Sequence, residues 1–292
     1  MIALEPSTRE IGRMAISCLL GVRFRDPVSG DIVSEGLRVT ATLADEPKRV
    51  LQPVVNRSGV FSFPALPGLR AWERWADHDR RWTELSGLPA LPGQAAADFI
   101  PPGGLCDLRI EVRDAGGRFL PCQHRVRVTQ PGPPMLQTLP LFSAPARMLP
   151  PNCAVVRTQL RLPNGNPAAH ALLRVSRAAP AADIAVALAL ADVSGSVAAI
   201  FAWPEPPSAL GITPRSQQWT LDLTAWEGPA PTAAAELPDP AATETDARRR
   251  RLFTALAPDV ELTSATLHYG RELILPDRAP QPDQPRVLHL KT

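Results

Sequence analysis

The chain has 292 residues, a formal net charge of +2, and 45% hydrophobic against 21% charged side chains. That is the composition of a folded globular protein long enough for two domains, and it excludes a disordered chain. Its 34 prolines and 18 glycines lack any triplet period, which excludes collagen, and so many missing backbone donors leave little room for long helices.

A charge of +2 over this length supplies no broad field for nucleic acid or an anionic membrane, so neither is expected as a partner. Only Lys48 and Lys291 are lysines; every other basic residue is arginine. Residues 1–17 read as an N-terminal arm. Glu5, Arg9, Glu10 and Arg13 interrupt it, so it lacks the basic start and unbroken apolar stretch of a secretory signal. Ile184–Leu190 is too short to span a bilayer. The expectation is a cytoplasmic protein without membrane insertion.

Residues 18–130 read as a first β-sandwich. Cys18–Phe24 alternates, Asp26-Pro27 and Ser29-Gly30 mark a turn, and Leu37–Leu43 (LRVTATL) is a β-branched alternating run. The string NRSGVFSF at 56–63 reads as a turn delivering a short aromatic strand. Phe61 and Phe63, two apart, share one face. The segment 70–99 interrupts this domain. It begins RAWERWADHDRRWTEL and places Trp72, Trp75 and Trp82 on one helical stripe. A helix packed on the sandwich edge and a partner-binding helix both fit that stripe, and tryptophan is enriched at binding hot spots. Leu105–Val112 and Arg125–Val128, around Gly116-Gly117, read as a hairpin. His124 lies two residues from Cys122, on the same strand face; one Cys and one His do not make a zinc site.

Residues 131–151 (PGPPMLQTLPLFSAPARMLPP) read as a proline-rich, semi-extended linker. Leu139, Leu141 and Phe142 make it too apolar to lie bare in water, so it is expected to be pinned to a domain or to another chain. Residues 152–225 then repeat the first domain. Ala154–Leu160 matches Cys18–Phe24, Leu173–Ser176 matches Leu37–Thr40, and Asp192–Gly195 matches Asn56–Gly59, all at an offset of 136. FAWPEP from Phe201 answers FSFPALP from Phe61 after a small insertion, which brings Phe201 and Trp203 forward as an aromatic platform. Equal loop lengths between equal strands imply equal topology.

Residues 226–292 read as an Ala/Pro-rich segment, one short helix within Thr243–Leu256, and an extended C-terminal arm. Tyr269, Leu288 and Leu290 are candidate contact residues there. The Arg248–Arg251 quartet has Glu244, Asp246 and Asp259 close by, which suits a solvated face or an acidic protein groove better than nucleic acid. No GxSxG elbow, P-loop, dinucleotide fingerprint or HExxH is present, so no catalytic, cofactor-binding or metal residue is assigned and a non-enzyme is expected.

At both repeats the sequence resembles the transthyretin-like, carboxypeptidase-regulatory-like module. The residues that carry the resemblance are Gly30–Val33, Leu37–Thr40, Asn56–Phe63 and Leu66–Gly68; the second copy departs from it at Ser196–Ile200 and in WPEPP. The resemblance implies an all-β fold of two Ig/transthyretin-like antiparallel sandwiches, and a non-catalytic spacer, stabilising or docking role. The duplicated sandwiches, apolar linker and extended tail also look similar to an accessory or baseplate-like part of a phage-tail-like contractile injection particle. The expected function is therefore a structural or adaptor subunit that binds other protein subunits. The alternative is a peptide- or carbohydrate-binding module using an aromatic platform.

Overall fold

In the computed structural model the described residues are 18, 20–44, 48–63, 66, 105–129, 135–177, 184–204, 217–229, 237–254, 257–276 and 286–291. Their regular secondary structure is nearly all strand, as expected. The first unit has β1 (Leu20–Arg25), β2 (Ile32–Val33), β3 (Leu37–Leu43), β4 (Val50–Leu51), β5 (Val54–Val55), β6 (Phe61–Ser62), β7 (Leu105–Asp114), β8 (Cys122–Thr129) and β9 (Met135–Pro140). One sheet holds β2, β1, β6 and β5, with β9 parallel to β1; the other runs β4-β3-β7-β8. Strand alternation sends one face of each strand inward. Leu20, Val22 and Phe24 from β1 meet Val39, Ala41, Leu108, Ile110 and Val112 in a shared buried core. Burial of each large side chain there contributes about 1.5–3 kcal/mol.

The second unit has β10 (Cys153–Arg161), β11 (Leu172–Arg177), β12 (Ile184–Leu190), β13 (Ser196–Ala202), β14 (Gln218–Trp226), β15 (Arg249–Thr254), β16 (Ser264–His268), β17 (Leu273–Ile274) and β18 (Val287–Lys291). Its strands form one curled sheet in the order β12-β11-β14-β15-β18-β10-β13, with β16 on β14 and β17 on β10. Strand β15 closes the curl, pairing at Ala225↔Arg250 on one side and Leu252↔Leu290 on the other.

The offset of 136 survives as strand register. Val22 pairs with Phe61 and Gly21 with Ser62; at +136, Thr158 pairs with Val197 and Arg157 with Ala198. The two Asx turns also match. Asn56 Oδ1 accepts from the N–H groups of Ser58 and Val60 at 2.9 and 3.0 Å, and Asp192 Oδ1 from those of Ser194 and Ser196 at 2.8 and 3.0 Å. Gly59 and Gly195 close them at φ of +72° and +78°, a region that costs any other residue steric strain. The aromatic match shifts, however. Phe61 corresponds to Val197, not to Phe201, because β13 runs seven residues where β6 runs two. The four-residue difference is even, so Phe201 still faces inward.

Two segments depart from the sequence expectation. Within 131–151, Met135–Pro140 is a strand of the first unit, and Leu141 and Phe142 lie in its core with Leu139 packed against it. The apolar content that a bare linker has no use for is what a closing strand needs. Likewise, 226–292 does not trail away. Strands β15 to β18 complete the second unit, with β18 parallel to β10 and antiparallel to β15. The short helix α1 is Pro240–Thr243, capped by Asp239, whereas the arginine quartet lies on the last residue of a 3-10 turn and the start of β15.

The two units are packed together. Leu172, Leu190 and Trp226 of the second unit belong to the first unit's core, and Val28 packs on Val155, Ala198 and Ile200. Arg147, just after β9, donates to Asp26 Oδ1 at 3.0 Å and to Ser143 Oγ at 2.9 Å, with its guanidinium 4.7 Å from the Phe119 ring centre. Both partners of this ion pair are nearly buried. Burial pushes the Asp26 carboxyl up, but the Arg147 hydrogen bonds and charge and the Val28 N–H outweigh it, leaving it below the ordinary value. Arg157 donates to the Pro145 carbonyl, and the Gln123 N–H donates to the Pro238 carbonyl at 2.8 Å.

Candidate functional site

One aromatic cluster of the second unit is partly open to solvent. Trp203 follows β13, Trp219 is the second residue of β14, and Tyr269 starts the turn between β16 and β17. Pairing of Trp219 with Leu267 on β16 brings the Tyr269 turn beside it, and the Tyr269 N–H donates to the Gln217 carbonyl at 3.0 Å. Ring centroids are 5.0 Å apart for Trp203–Tyr269, 5.8 Å for Trp203–Trp219 and 6.4 Å for Trp219–Tyr269, all tilted. Trp219 is buried and forms the floor, Trp203 is half-buried, and Tyr269 is exposed. Tilted rings at these separations attract one another, and their outer faces suit sugar C–H groups or proline rings.

The other predicted contact residues separate into three groups. Leu141, Phe142, Phe201, Leu288 and Leu290 are buried in the protein's own cores and are corrected from partner contacts to core residues. Leu139 is half-buried on the first core. Trp72, Trp75 and Trp82 lie outside the described residues. Trp203 and Tyr269 remain, joined by Trp219 of β14, which was not among the predicted contact residues. The signal for it was present: in WTLDL, Trp219, Leu221 and Leu223 share one strand face.

Cys122 and His124 do face the same side, with Sγ 3.5 Å from Nε2, beneath Asp239 of the capping segment. Burial pushes the thiol up to about 12, with the Asp239 charge acting in the same direction. Burial lowers His124 to about 4 against the opposing pull of Asp239 and of its hydrogen bond to the Pro140 carbonyl. At neutral pH both groups are uncharged, so the pair lacks the thiolate that nucleophilic or metal chemistry requires. Among the described residues no group of three or more His, Cys, Asp and Glu is arranged to hold a metal ion. No described helix is long and apolar enough to cross a membrane.

No family model matches the chain, and no curated protein matches it. Among solved structures a chain of the Bacillus anthracis TIE protein is similar, with a TM-score of 0.24 and 8% sequence identity over 87% of this chain. The chain spans about a third (32%) of that protein's length.

Proposed function

We propose that the chain is a non-catalytic structural or adaptor subunit, holding other protein subunits of a cytoplasmic assembly at a fixed geometry. The observation that carries this reading is the shared core. With Leu172, Leu190 and Trp226 inserted into the first unit and the Asp26–Arg147 pair buried at the join, two sandwiches present their surfaces at one angle. A spacer needs that rigidity, because a hinge between contact surfaces would lose positional information. The matched Asx turns and registers favour the transthyretin-like, carboxypeptidase-regulatory-like kind of module for both units. A phage-tail-like contractile injection particle is the assembly this architecture suits.

Gentle affinity purification of the tagged chain from its native cells, with size exclusion and mass spectrometry, tests the reading. It expects elution in a megadalton particle with tube, sheath or baseplate-like proteins. Elution alone near 31.5 kDa would overturn it.

The open aromatic cluster favours a second reading, a peptide- or carbohydrate-binding module. It expects hits for the full chain on a glycan or proline-peptide array, lost in Trp203→Ala and Tyr269→Ala variants. An array without hits removes it.

A further inference from the structure

An edge strand offers backbone donors and acceptors that an added strand can use, and the repeat places the same edge in both units. Ala41 pairs with Ile110 and, at the offset of 136, Arg177 pairs with Leu221. Ile110 in turn pairs with His124, and Leu221 with Ala265, so β8 and β16 are equivalent edges. Gln123 then corresponds to Ser264, Arg125 to Thr266 and Arg127 to His268. Val126 and Leu267 correspond as well, and both are buried, as the match requires.

In the first unit this edge is occupied and guarded. The Gln123 N–H points away from β7 and donates at 2.8 Å to the carbonyl of Pro238, carried by the second unit. Arg125 and Arg127 follow along the same edge, and charge on an edge strand discourages further pairing. The second unit's edge has neither device. The Leu223 N–H donates to the Thr263 carbonyl and the Tyr269 N–H to the Gln217 carbonyl. Thr263, Ala265, Leu267 and Tyr269 therefore turn their backbone groups toward β14, and Ser264, Thr266 and His268 turn theirs outward. All three of these residues are exposed. Among the described residues their N–H groups have no backbone partner, and only the His268 carbonyl is engaged, accepting from the Arg271 N–H at 3.1 Å.

We propose that β16 takes an extended, uncharged, proline-bearing segment of a partner protein as an added antiparallel strand, which runs past Tyr269 and rests its prolines on the Tyr269 and Trp203 rings. Ser264 and Thr266 offer that strand donors and acceptors, and His268 offers its N–H. Ser264, Thr266 and His268 carry no fixed charge at neutral pH, so the edge itself holds no ionic anchor for an acidic or basic segment. The equivalent edge of the first unit already accepts a segment of this kind. Pro238 and Pro240 flank Asp239 there, and Pro238 contributes its carbonyl without needing the donor that proline lacks. Beyond the strand, Tyr269 is exposed and its ring centre lies 5.0 Å from that of half-buried Trp203. Aromatic surfaces of this kind receive proline rings.

The inference gives the peptide-binding reading its mode of attachment and rests on that reading. The test uses the isotope-labelled full chain, followed by nuclear magnetic resonance and amide hydrogen exchange. The probes are a capped peptide of alternating threonine and valine with two prolines at its N-terminal end, the same peptide N-methylated throughout, and a glucan hexasaccharide. The plain peptide is expected to slow exchange of the Thr266 and His268 amides about tenfold or more, and to bind about tenfold tighter than the methylated one. Thr266→Arg copies the guard of β8, and Thr266→Pro removes the central donor; each is expected to weaken binding about tenfold. The arginine variant keeps the pairing of β16 with β14, so its melting temperature should match that of the wild type. Equal binding of the two peptides, or binding unchanged by Thr266→Arg, overturns the added strand. Peptide binding lost in Tyr269→Ala but kept in Thr266→Arg sinks the strand alone and leaves an aromatic contact. Wild-type chain that binds neither peptide sinks the peptide reading with it, and glucan binding in its place assigns the rings to sugar.

Discussion

The two sandwiches share a repeat but differ in how each is closed. In the second, β15 stitches both sides of the curl into one continuous sheet. In the first, among the described residues, the two sheets stay separate and meet in a short antiparallel contact where the Leu120 N–H donates to the Phe142 carbonyl and the Ala144 N–H to the Arg118 carbonyl. Their outward faces differ in the same sense. Leu172, Leu190 and Trp226 of the second unit are used up against the first, whereas the β3–β7–β8 face presents arginines outward. The duplicated strands thus keep a common inward pattern and differ in what their other faces meet.

Breaking the closure should produce the largest difference between the units. Deleting residues 286–292 removes β18 with the buried Leu288 and Leu290 and is expected to abolish the cooperative unfolding of the second unit, read by calorimetry. Leu288→Ala alone should cost about 2–5 kcal/mol in chemical denaturation. A truncated chain with an unchanged melting temperature would mean that β18 contributes little.

The matched turns offer a finer comparison. A Cβ on Gly195 would lie 2.3 Å from the Leu160 carbonyl oxygen, a backbone atom that cannot step aside. On Gly59 it would meet only side-chain atoms of Ile32 and Ser34, at 3.2–3.4 Å. Gly195→Ala is therefore expected to cost about 3 kcal/mol or more and Gly59→Ala about 1 kcal/mol. Equal losses would show that positive φ alone decides both.

The same contrast applies to ion pairs. Arg147→Ala strands a buried Asp26 and should cost about 3 kcal/mol. Arg127→Ala, whose Asp107 partner is solvated, should leave the melting temperature unchanged.

A last difference concerns pH. His124 titrates at about 4 in the folded chain against about 6.5 unfolded, so the unfolded state binds the extra proton between those values. Stability is expected to fall as pH drops from 6.5 toward 4, by about 2 kcal/mol at pH 5 from this group. In His124→Gln the melting temperature should decline less between pH 7 and 5. Parallel profiles for the two proteins would remove His124 as the cause.

The sequence by itself determined the strand content, the repeat, and the turn chemistry of Asn56-Gly59 and Asp192-Gly195. These depend on local periodicity and on residues within four positions of each other. It also put Cys122 and His124 on one face, because strand alternation is a local rule. It misassigned Leu141, Phe142, Leu288 and Leu290 as contact residues, since an apolar run looks the same whether it covers a partner or its own core. Only tertiary structure settled that β9 and β18 return in parallel to β1 and β10, more than a hundred residues away in sequence. Arg38 and Arg113, seventy-five positions apart, became neighbours for the same reason: strand pairing is a long-range choice that no local pattern encodes.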